Sequence, residues 1–508
     1  MLAKVKSFTL EGLNGFPIDI EIDIQNGIPS FDIVGLPSST VKESRNRVRS
    51  AIGNSCFEFA HKRVTVNLAP ADRKKEGSLF DLPIALGFLA GTEQIPLQNI
   101  DKYIIVGELS LDGGVRSVNG IMPILISGLQ MGYKKFIVPS GNEEEASYIK
   151  GIEVYAVKTL SEATSFLSGI QKIQPIKNRD YVPESHSNKF GVDLSQVKGQ
   201  VIAKRALEVA VAGGHNMLMC GSPGAGKSLL AKCLVTIMPD MTFEEAIETT
   251  KIHSVAGLML DGTGMILQRP CRTPHHTASL YSLTGGGAKS TPGEISLAHN
   301  GVLFLDEMPE YSQKALETLR QPLEDGVITV SRVAQSVEYP ARFMLMASMN
   351  PCPCGYDGSK LRPCTCTPNE KRKYRAKVSG PLLDRIDIYI EVDGVEYSEL
   401  RGNEVGETSA EVSLRVAKAR NKQLARFKNV GIHTNSEMNN AMLNEYCKLD
   451  EKSENLLKMA FNRFKLSARG ATRIIKIART IADLNEHIDI ESGDVAEAIQ
   501  YRTRGLQE

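Results

Sequence analysis

The sequence predicts a multidomain α/β protein: a mixed α/β domain, a second α/β region around a parallel sheet, and a C-terminal helical region. Three observations carry this reading. Ile18, Ile20, Ile22 and Ile24 alternate with Asp19, Glu21 and Asp23, the two-residue period of a strand with one buried face. The apolar run Met217-Leu218-Met219-Cys220 leads into a glycine-rich loop and then a helical pattern. Beyond a polar gap at residues 401–408, apolar residues recur at helical spacing almost to the end of the chain. At about 150 residues per domain, the length of 508 residues suits about three such units.

Composition narrows the function classes. Lys and Arg total 60 and Asp and Glu total 59, for a net charge of +1. A globally basic nucleic-acid coat is excluded, and any such binding must come from local patches. Hydrophobic residues at 42% and charged residues at 23% match an ordinary globular protein. Nine cysteines, an odd number, do not form an extracellular disulfide pattern. The N-terminus lacks an apolar signal core, and no stretch approaches the roughly 18 apolar residues of a membrane span. A cytoplasmic protein is expected.

Along the chain, Ser38 and Ser39 cap a predicted helix reaching Ile52, with Lys42, Arg45 and Arg49 on one face, read as a solvated stripe. Val64-Thr65-Val66-Asn67-Leu68 reads as a strand, Leu82 to Leu89 as an apolar helix, and Ile104-Ile105-Val106 and Phe136-Ile137-Val138 as short buried strands. From about Gln171 to Lys189 the pattern dissolves into Pro, Asn and Ser, as expected of a linker. Residues 1–170, 171–189, 190–396 and 397–508 are the expected first domain, linker, core and helical region.

Gly221-Ser222-Pro223-Gly224-Ala225-Gly226-Lys227-Ser228 fits G-x-x-x-x-G-K-[ST] in the strand–loop–helix context that the motif requires. Glycines turn backbone N–H groups toward phosphate oxygens, and the helix N-terminus adds its positive end. Lys227 is expected on the β- and γ-phosphates of ATP and Ser228 on Mg²⁺. A second element agrees. Val302-Leu303-Phe304-Leu305 is a buried strand ending in Asp306 and Glu307, where parallel sheets bind ligands. Asp306 is expected to hold Mg²⁺ through water, and Glu307 to orient the water that attacks the γ-phosphate. A third apolar strand, Phe343 to Ala347, runs into Ser348-Met349-Asn350, and an arginine, Arg385, follows in Gly380-Pro381-Leu382-Leu383-Asp384-Arg385-Ile386-Asp387.

These motifs, with Gly293-Glu294-Ile295-Ser296-Leu297-Ala298-His299-Asn300 before the acidic strand and the helical residues 467–483, resemble the AAA+ ATPases. Within them the chain resembles the magnesium chelatase-like branch of YifB/ComM type over essentially its whole length. The resemblance implies an AAA+ P-loop α/β core and a C-terminal helical lid. It implies Asn350 as sensor 1, Arg385 as an arginine finger acting on a neighbouring subunit, and Arg469 as sensor 2, with Arg473 as second choice. It also implies a homo-oligomeric ring, usually a hexamer, with two inserts facing its pore. One insert spans roughly residues 251–292; the other is the hairpin at residues 327–339, whose alternation supports two strands independently. Lys289 and Arg332 are then candidate DNA contacts.

Cys352, Cys354, Cys364 and Cys366 place four thiols within 15 residues, the donor set of a tetrahedral Zn²⁺ site. The basic segment after them holds Lys371, Arg372, Lys373 and Arg375, which suit contact with a DNA backbone. The other cysteines are expected to be packing residues. The His275-His276 pair is expected to hydrogen-bond rather than hold metal, because neighbouring side chains diverge.

Residues 1 to about 168 resemble the proteolytic domain of the Lon proteases through residues 64–91 and 107–120. In that resemblance Asp81 stands where the nucleophilic serine belongs and Met122 where the activating lysine belongs. Ser78 is near, with no lysine evidently placed to activate it. A non-proteolytic scaffold is expected. The whole reading is an ATP-driven DNA motor, a helicase or branch-migration translocase acting in recombination or natural transformation, with recombination proteins as partners. The rivals are a chelatase-like remodeller of protein partners and a Lon-like peptidase.

Overall fold

The computed structural model describes residues 1–183, 191–259, 262–287, 290–331, 336–359, 362–394 and 406–503. Its N-terminal part is a seven-stranded mixed sheet. In spatial order the strands are Ser30–Val34, Arg63–Ala69, Asn14–Gln25, Leu2–Glu11, Ile104–Ile105, Lys135–Pro139 and Glu153–Val157. The predicted alternation is realised on Asn14–Gln25: the four isoleucines are buried, and Asp19, Glu21 and Asp23 point away from the core. Against the isoleucines lies the wholly buried helix Asp81–Gly91. Gly87 permits the close approach, since a β-carbon there would collide with Ile22. Helix Ser39–Asn54 starts as predicted, with the Ser38 hydroxyl accepting from the Val41 N–H.

A second, five-stranded sheet is entirely parallel. Its order is Cys271–Arg272, Val302–Leu305, Met344–Met349, Met217–Gly221, Ile388–Val392. Both faces are covered, which explains why these strands read as continuous apolar runs. Met217, Met219, Phe304 and Met346 pack on one face with lid residues Ile474, Ile477 and Ile481. Leu218, Leu303, Leu305 and Leu345 pack on the other with Ile295, Leu316 and Tyr339. The C-terminal part is helical, in Ser409–Arg426, Asn440–Tyr446, Glu451–Phe464, Ala468–Leu484 and Ser492–Thr503. The AAA+-type core and lid therefore stand as a mixed α/β unit with a helical cover. No described helix is long and apolar enough to cross a membrane.

Two expectations need correction. The segment 171–183 is not a free tether. Ile173, Ile176 and Tyr181 pack on the first core, the Ile176 N–H donates to the Val154 carbonyl (2.8 Å), and the Tyr181 hydroxyl donates to the Met241 carbonyl (2.7 Å). Three spaced apolar side chains suffice to dock a chain whose average composition is polar. The first insert does not begin at Lys251, which lies inside helix Phe243–Ala256, and it contains an edge strand of the core sheet at Cys271–Arg272. The hairpin is two-stranded as predicted, Val327–Ser331 with Ser336–Pro340.

Candidate nucleotide site

The glycine-rich loop leaves the C-terminal end of strand Met217–Gly221 and enters helix Lys227–Thr236. Gly224 and Gly226 have φ of 79° and 91°, a backbone region that disfavours side chains and turns successive N–H groups the same way. The Lys227 ammonium donates to the carbonyls of Gly221 (2.7 Å) and Ser222 (2.9 Å) and to Asn350 Oδ1 (3.2 Å). Burial pushes its pKa down. The Ser228 hydroxyl donates to Asp306 Oδ2 at 3.2 Å.

Strand order brings these groups together. Met344–Met349 lies between the loop strand and Val302–Leu305, so Asn350 emerges between Lys227 and the acidic pair. Sequence reasoning assigned no role to Ser348. Its hydroxyl donates to Asp306 and accepts from the Glu307 N–H (3.2 Å), bracing both acids. A serine at the end of an apolar buried strand was the available signal. Glu307 has φ of 52°, a left-handed turn that carries the chain out of the strand beneath its side chain.

Arg385 is elsewhere. In the parallel register Met217 pairs with Ile388 and Gly221 with Val392. Arg385 precedes Ile388, so it lies at the N-terminal end of the sheet, about 13 Å of strand from the glycine-rich loop of its own chain. Asn216 pins it there: its side-chain amide donates to the Arg385 carbonyl (3.0 Å) and its N–H to Asp387 (3.1 Å). The Arg385 guanidinium pairs with Glu324 and donates to the Pro381 carbonyl (2.7 Å). Arg469 approaches the same Glu324 at 4.0 Å. Arg473 sits 3.0 Å from Asp387. Its side chain is 17% exposed against 68% for Arg469, so Arg473 is a strut between lid and core, and Arg469 has the more available guanidinium. Burial opposes the charge on Asp387, but His215, Arg473 and Lys476 outweigh it and hold the carboxyl down to about 2. All three arginines line one cleft of about 1010 Å³. Among the described residues no hydrogen bond or ion pair joins them to Lys227, Ser228, Asp306 or Glu307.

The four cysteines converge, with their sulfur atoms all within 4.8 Å of one another. Cys352 Sγ lies 3.3 Å from Cys354 and 3.7 Å from Cys364, and Cys354 Sγ lies 3.6 Å from Cys364. Zinc–sulfur bonds of about 2.3 Å require tetrahedron edges of about 3.8 Å, so this cage is near the size of a zinc centre. The Cys354 N–H donates to Cys366 Sγ and the Cys366 N–H to Cys364 Sγ, both at 3.4 Å. Backbone N–H groups of Tyr356 and Thr365 hold the Cys354 thiol below its ordinary pKa. The donor set fits zinc. Of the remaining cysteines Cys56 is exposed, against expectation, on a turn with φ of 64°.

The expected DNA contacts divide. Lys289 and Arg332 lie outside the described residues. Lys371 and Arg375, expected to be available, both pair with Asp357, an ion-pair clamp between helix Pro368–Arg375 and the cysteine loop. Arg372 and Lys373 face solvent on that helix. His275 bonds Thr277 (2.8 Å), and its ring packs on His276 at 4.2 Å between centroids.

In the first domain Asp81 is fully buried and paired with Arg47 through hydrogen bonds of 2.6 and 3.1 Å. Burial raises its pKa despite that partner. Met122 is buried, and its N–H donates to Glu145 (3.0 Å). The Ser78 hydroxyl donates to Glu108, whereas buried Lys75 donates to the carbonyls of Pro70 and Arg73.

The chain is similar to known proteins over essentially its whole length. The family described as magnesium chelatase, subunit ChlI, matches residues 193–400; subunit ChlI of Mg-chelatase matches 20–142; and the ChlI C-terminal family matches 406–502. The chain is 43% identical to competence protein ComM of Haemophilus influenzae over 99% of this chain and 97% of that protein. It is 42% identical to the protein YifB of Escherichia coli over 97% of this chain and 95% of that one. It is 26% identical to the chloroplastic magnesium-chelatase subunit ChlI of Nicotiana tabacum over 52% of this chain and 62% of that protein.

Proposed function

The chain belongs to the magnesium chelatase-like ComM/YifB family, and from that premise we propose that it is a ring-forming AAA+ ATPase that drives movement on DNA. One observation carries the reading. The loop with Lys227 and the arginines Arg385 and Arg469 lie at opposite ends of one parallel sheet. One subunit's phosphate loop then meets the next subunit's arginines in a head-to-tail ring, six subunits by resemblance. Both arginines serve the neighbour, with Arg469 in trans alongside Arg385.

The chemistry follows from the residues. Backbone N–H groups of residues 224–226 and the Lys227 ammonium bind the triphosphate. Ser228 and Asp306 would hold Mg²⁺, which would offset the phosphate charge. Glu307 orients the attacking water, Asn350 fixes it against the γ-phosphate, and the neighbour's Arg385 meets the charge that develops. Glu324 partners Arg385 until nucleotide at the interface competes for it. Cys352, Cys354, Cys364 and Cys366 would hold Zn²⁺, which would tie down the segment that carries Arg372 and Lys373 toward DNA. The first domain is Lon-like in fold and serves as a scaffold: Asp81 is committed to Arg47, and Met122 cannot accept a proton.

The name of the Haemophilus relative supports a role in competence, and with it a DNA substrate. The match to a chelatase subunit over half the chain supports the second reading, a remodeller of protein partners. ATP turnover measured without DNA and with single-stranded, duplex and four-way-junction DNA separates them. The DNA motor predicts several-fold stimulation by at least one DNA; identical turnover in all four conditions would favour the remodeller. ATP-dependent casein degradation would revive the peptidase.

A further inference from the structure

Asn350 is followed immediately by Pro351-Cys352-Pro353-Cys354-Gly355, so the metal-binding knuckle grows directly out of the γ-phosphate-sensing strand. The Gly355 N–H donates to the Cys352 carbonyl (2.9 Å), closing a tight turn, and Gly355 has φ of 84°. That turn rests on the phosphate loop. A β-carbon at position 355 would lie 2.7 and 2.8 Å from Cδ and Cγ of Pro223, and 4.0 Å from Cγ of Asn350. Pro223 is the third residue of the glycine-rich loop. Behind the knuckle, Lys371 and Arg375 hold Asp357, and the buried Tyr374 lies against the Asn350 backbone. Residues 350–359 and 362–375 are thus brought together at the four sulfurs, touching the nucleotide site at Pro223 and Asn350.

We infer that the four-cysteine centre is a positioning element of the nucleotide site: metal bound by Cys352, Cys354, Cys364 and Cys366 presses Gly355 onto Pro223 and fixes Asn350 beside Lys227. The inference rests on the zinc reading and goes beyond it, because a structural zinc serving only DNA contact would leave DNA-free hydrolysis untouched. The physical reason is local. Without a cation the four sulfurs take up protons and lose the bonds that draw them together, the knuckle opens, and the loop loses its backing on the Pro223 side. A displacement of about 1 Å in a phosphate cradle is enough to lower turnover by roughly 100-fold. Loss of the metal then lowers DNA-free ATP turnover.

The test uses the full-length protein without DNA. Zinc is first counted by elemental analysis. It is then stripped with a thiol-blocking mercurial and chelator, and returned after the mercurial is removed with excess thiol. ATP turnover and affinity for a fluorescent ATP analogue are read at each stage, with ring assembly followed by gel filtration. The expected result is one zinc per chain, a fall in turnover of about 10–100-fold on stripping with assembly retained, and recovery on zinc return. A Gly355→Ala chain reconstituted to one zinc should show a similar fall, because its β-carbon meets Pro223. No zinc in the purified protein, and none taken up when zinc is added, would overturn the zinc reading and the inference with it. Zinc present, but with turnover unchanged on stripping and in Gly355→Ala, would overturn the inference alone.

Discussion

Lys227 is held by three oxygens, those of Gly221, Ser222 and Asn350, so its ammonium is already aimed along the loop that would receive phosphates. Lys227→Ala is expected to abolish binding of a fluorescent ATP analogue. Glu307→Gln should bind it normally and lower turnover by about 100-fold or more, since an amide orients water poorly and accepts no proton. Wild-type turnover in Glu307→Gln would show that the acid is misassigned. Ser348→Ala removes the hydroxyl that braces Asp306 and the Glu307 backbone. It should reduce turnover by roughly tenfold and raise the Mg²⁺ concentration needed for half-maximal rate, at unchanged melting temperature. The other residues around Lys227 were legible because each sits in a contiguous motif whose spacing encodes its geometry. Ser348 was not, because its role depends on which strand lies beside Val302–Leu305, and strand order is a long-range property.

Helix Phe243–Ala256 joins the first domain to the core. Its Ser254 accepts from the Gly120 N–H (3.0 Å) and donates to Glu145, and Phe243 packs on Tyr181. Burial raises Glu145 from 4.5 to about 7. The folded state therefore keeps a proton that the unfolded state releases. Glu145's contribution to stability is full below about pH 4.5 and is lost as pH rises through about 7, a change of about 3 kcal/mol. Glu145→Gln, which can still accept from Met122 and pair with Ser254, should flatten the decline in melting temperature between about pH 5 and pH 8. An unaltered slope would mean that Glu145 is ionised in the folded protein. Elements whose boundaries rest on caps and periodicity, such as Ser39–Asn54, were legible to within about two residues. The docked stretch at 171–183 was not, because three anchoring side chains do not register in a composition average.

For the whole molecule, a charge of +1 means that DNA must be gripped locally. Arg372 and Lys373 are exposed, while Lys371 and Arg375 are tied to Asp357. Neutralising Arg372 and Lys373 together should reduce the salt slope of log K by about 0.7–0.9 for each phosphate that is no longer neutralised, whereas Arg45→Ala with Arg49→Ala should leave it unchanged. The reverse result would move the DNA onto the first domain. The family and its catalytic motifs were legible because they are local strings. The distance from Arg385 to its own phosphate loop was not, because it follows from the parallel register of Met217–Gly221 with Ile388–Val392. That separation is the central claim, and subunit mixing tests it most directly. Lys227→Ala and Arg385→Ala chains should each be inactive alone. When mixed in equal amounts, roughly one junction in four pairs an intact Lys227 with an intact Arg385, and turnover should recover in proportion. No recovery, with mixed assembly confirmed by pull-down, would contradict a nucleotide site shared between subunits.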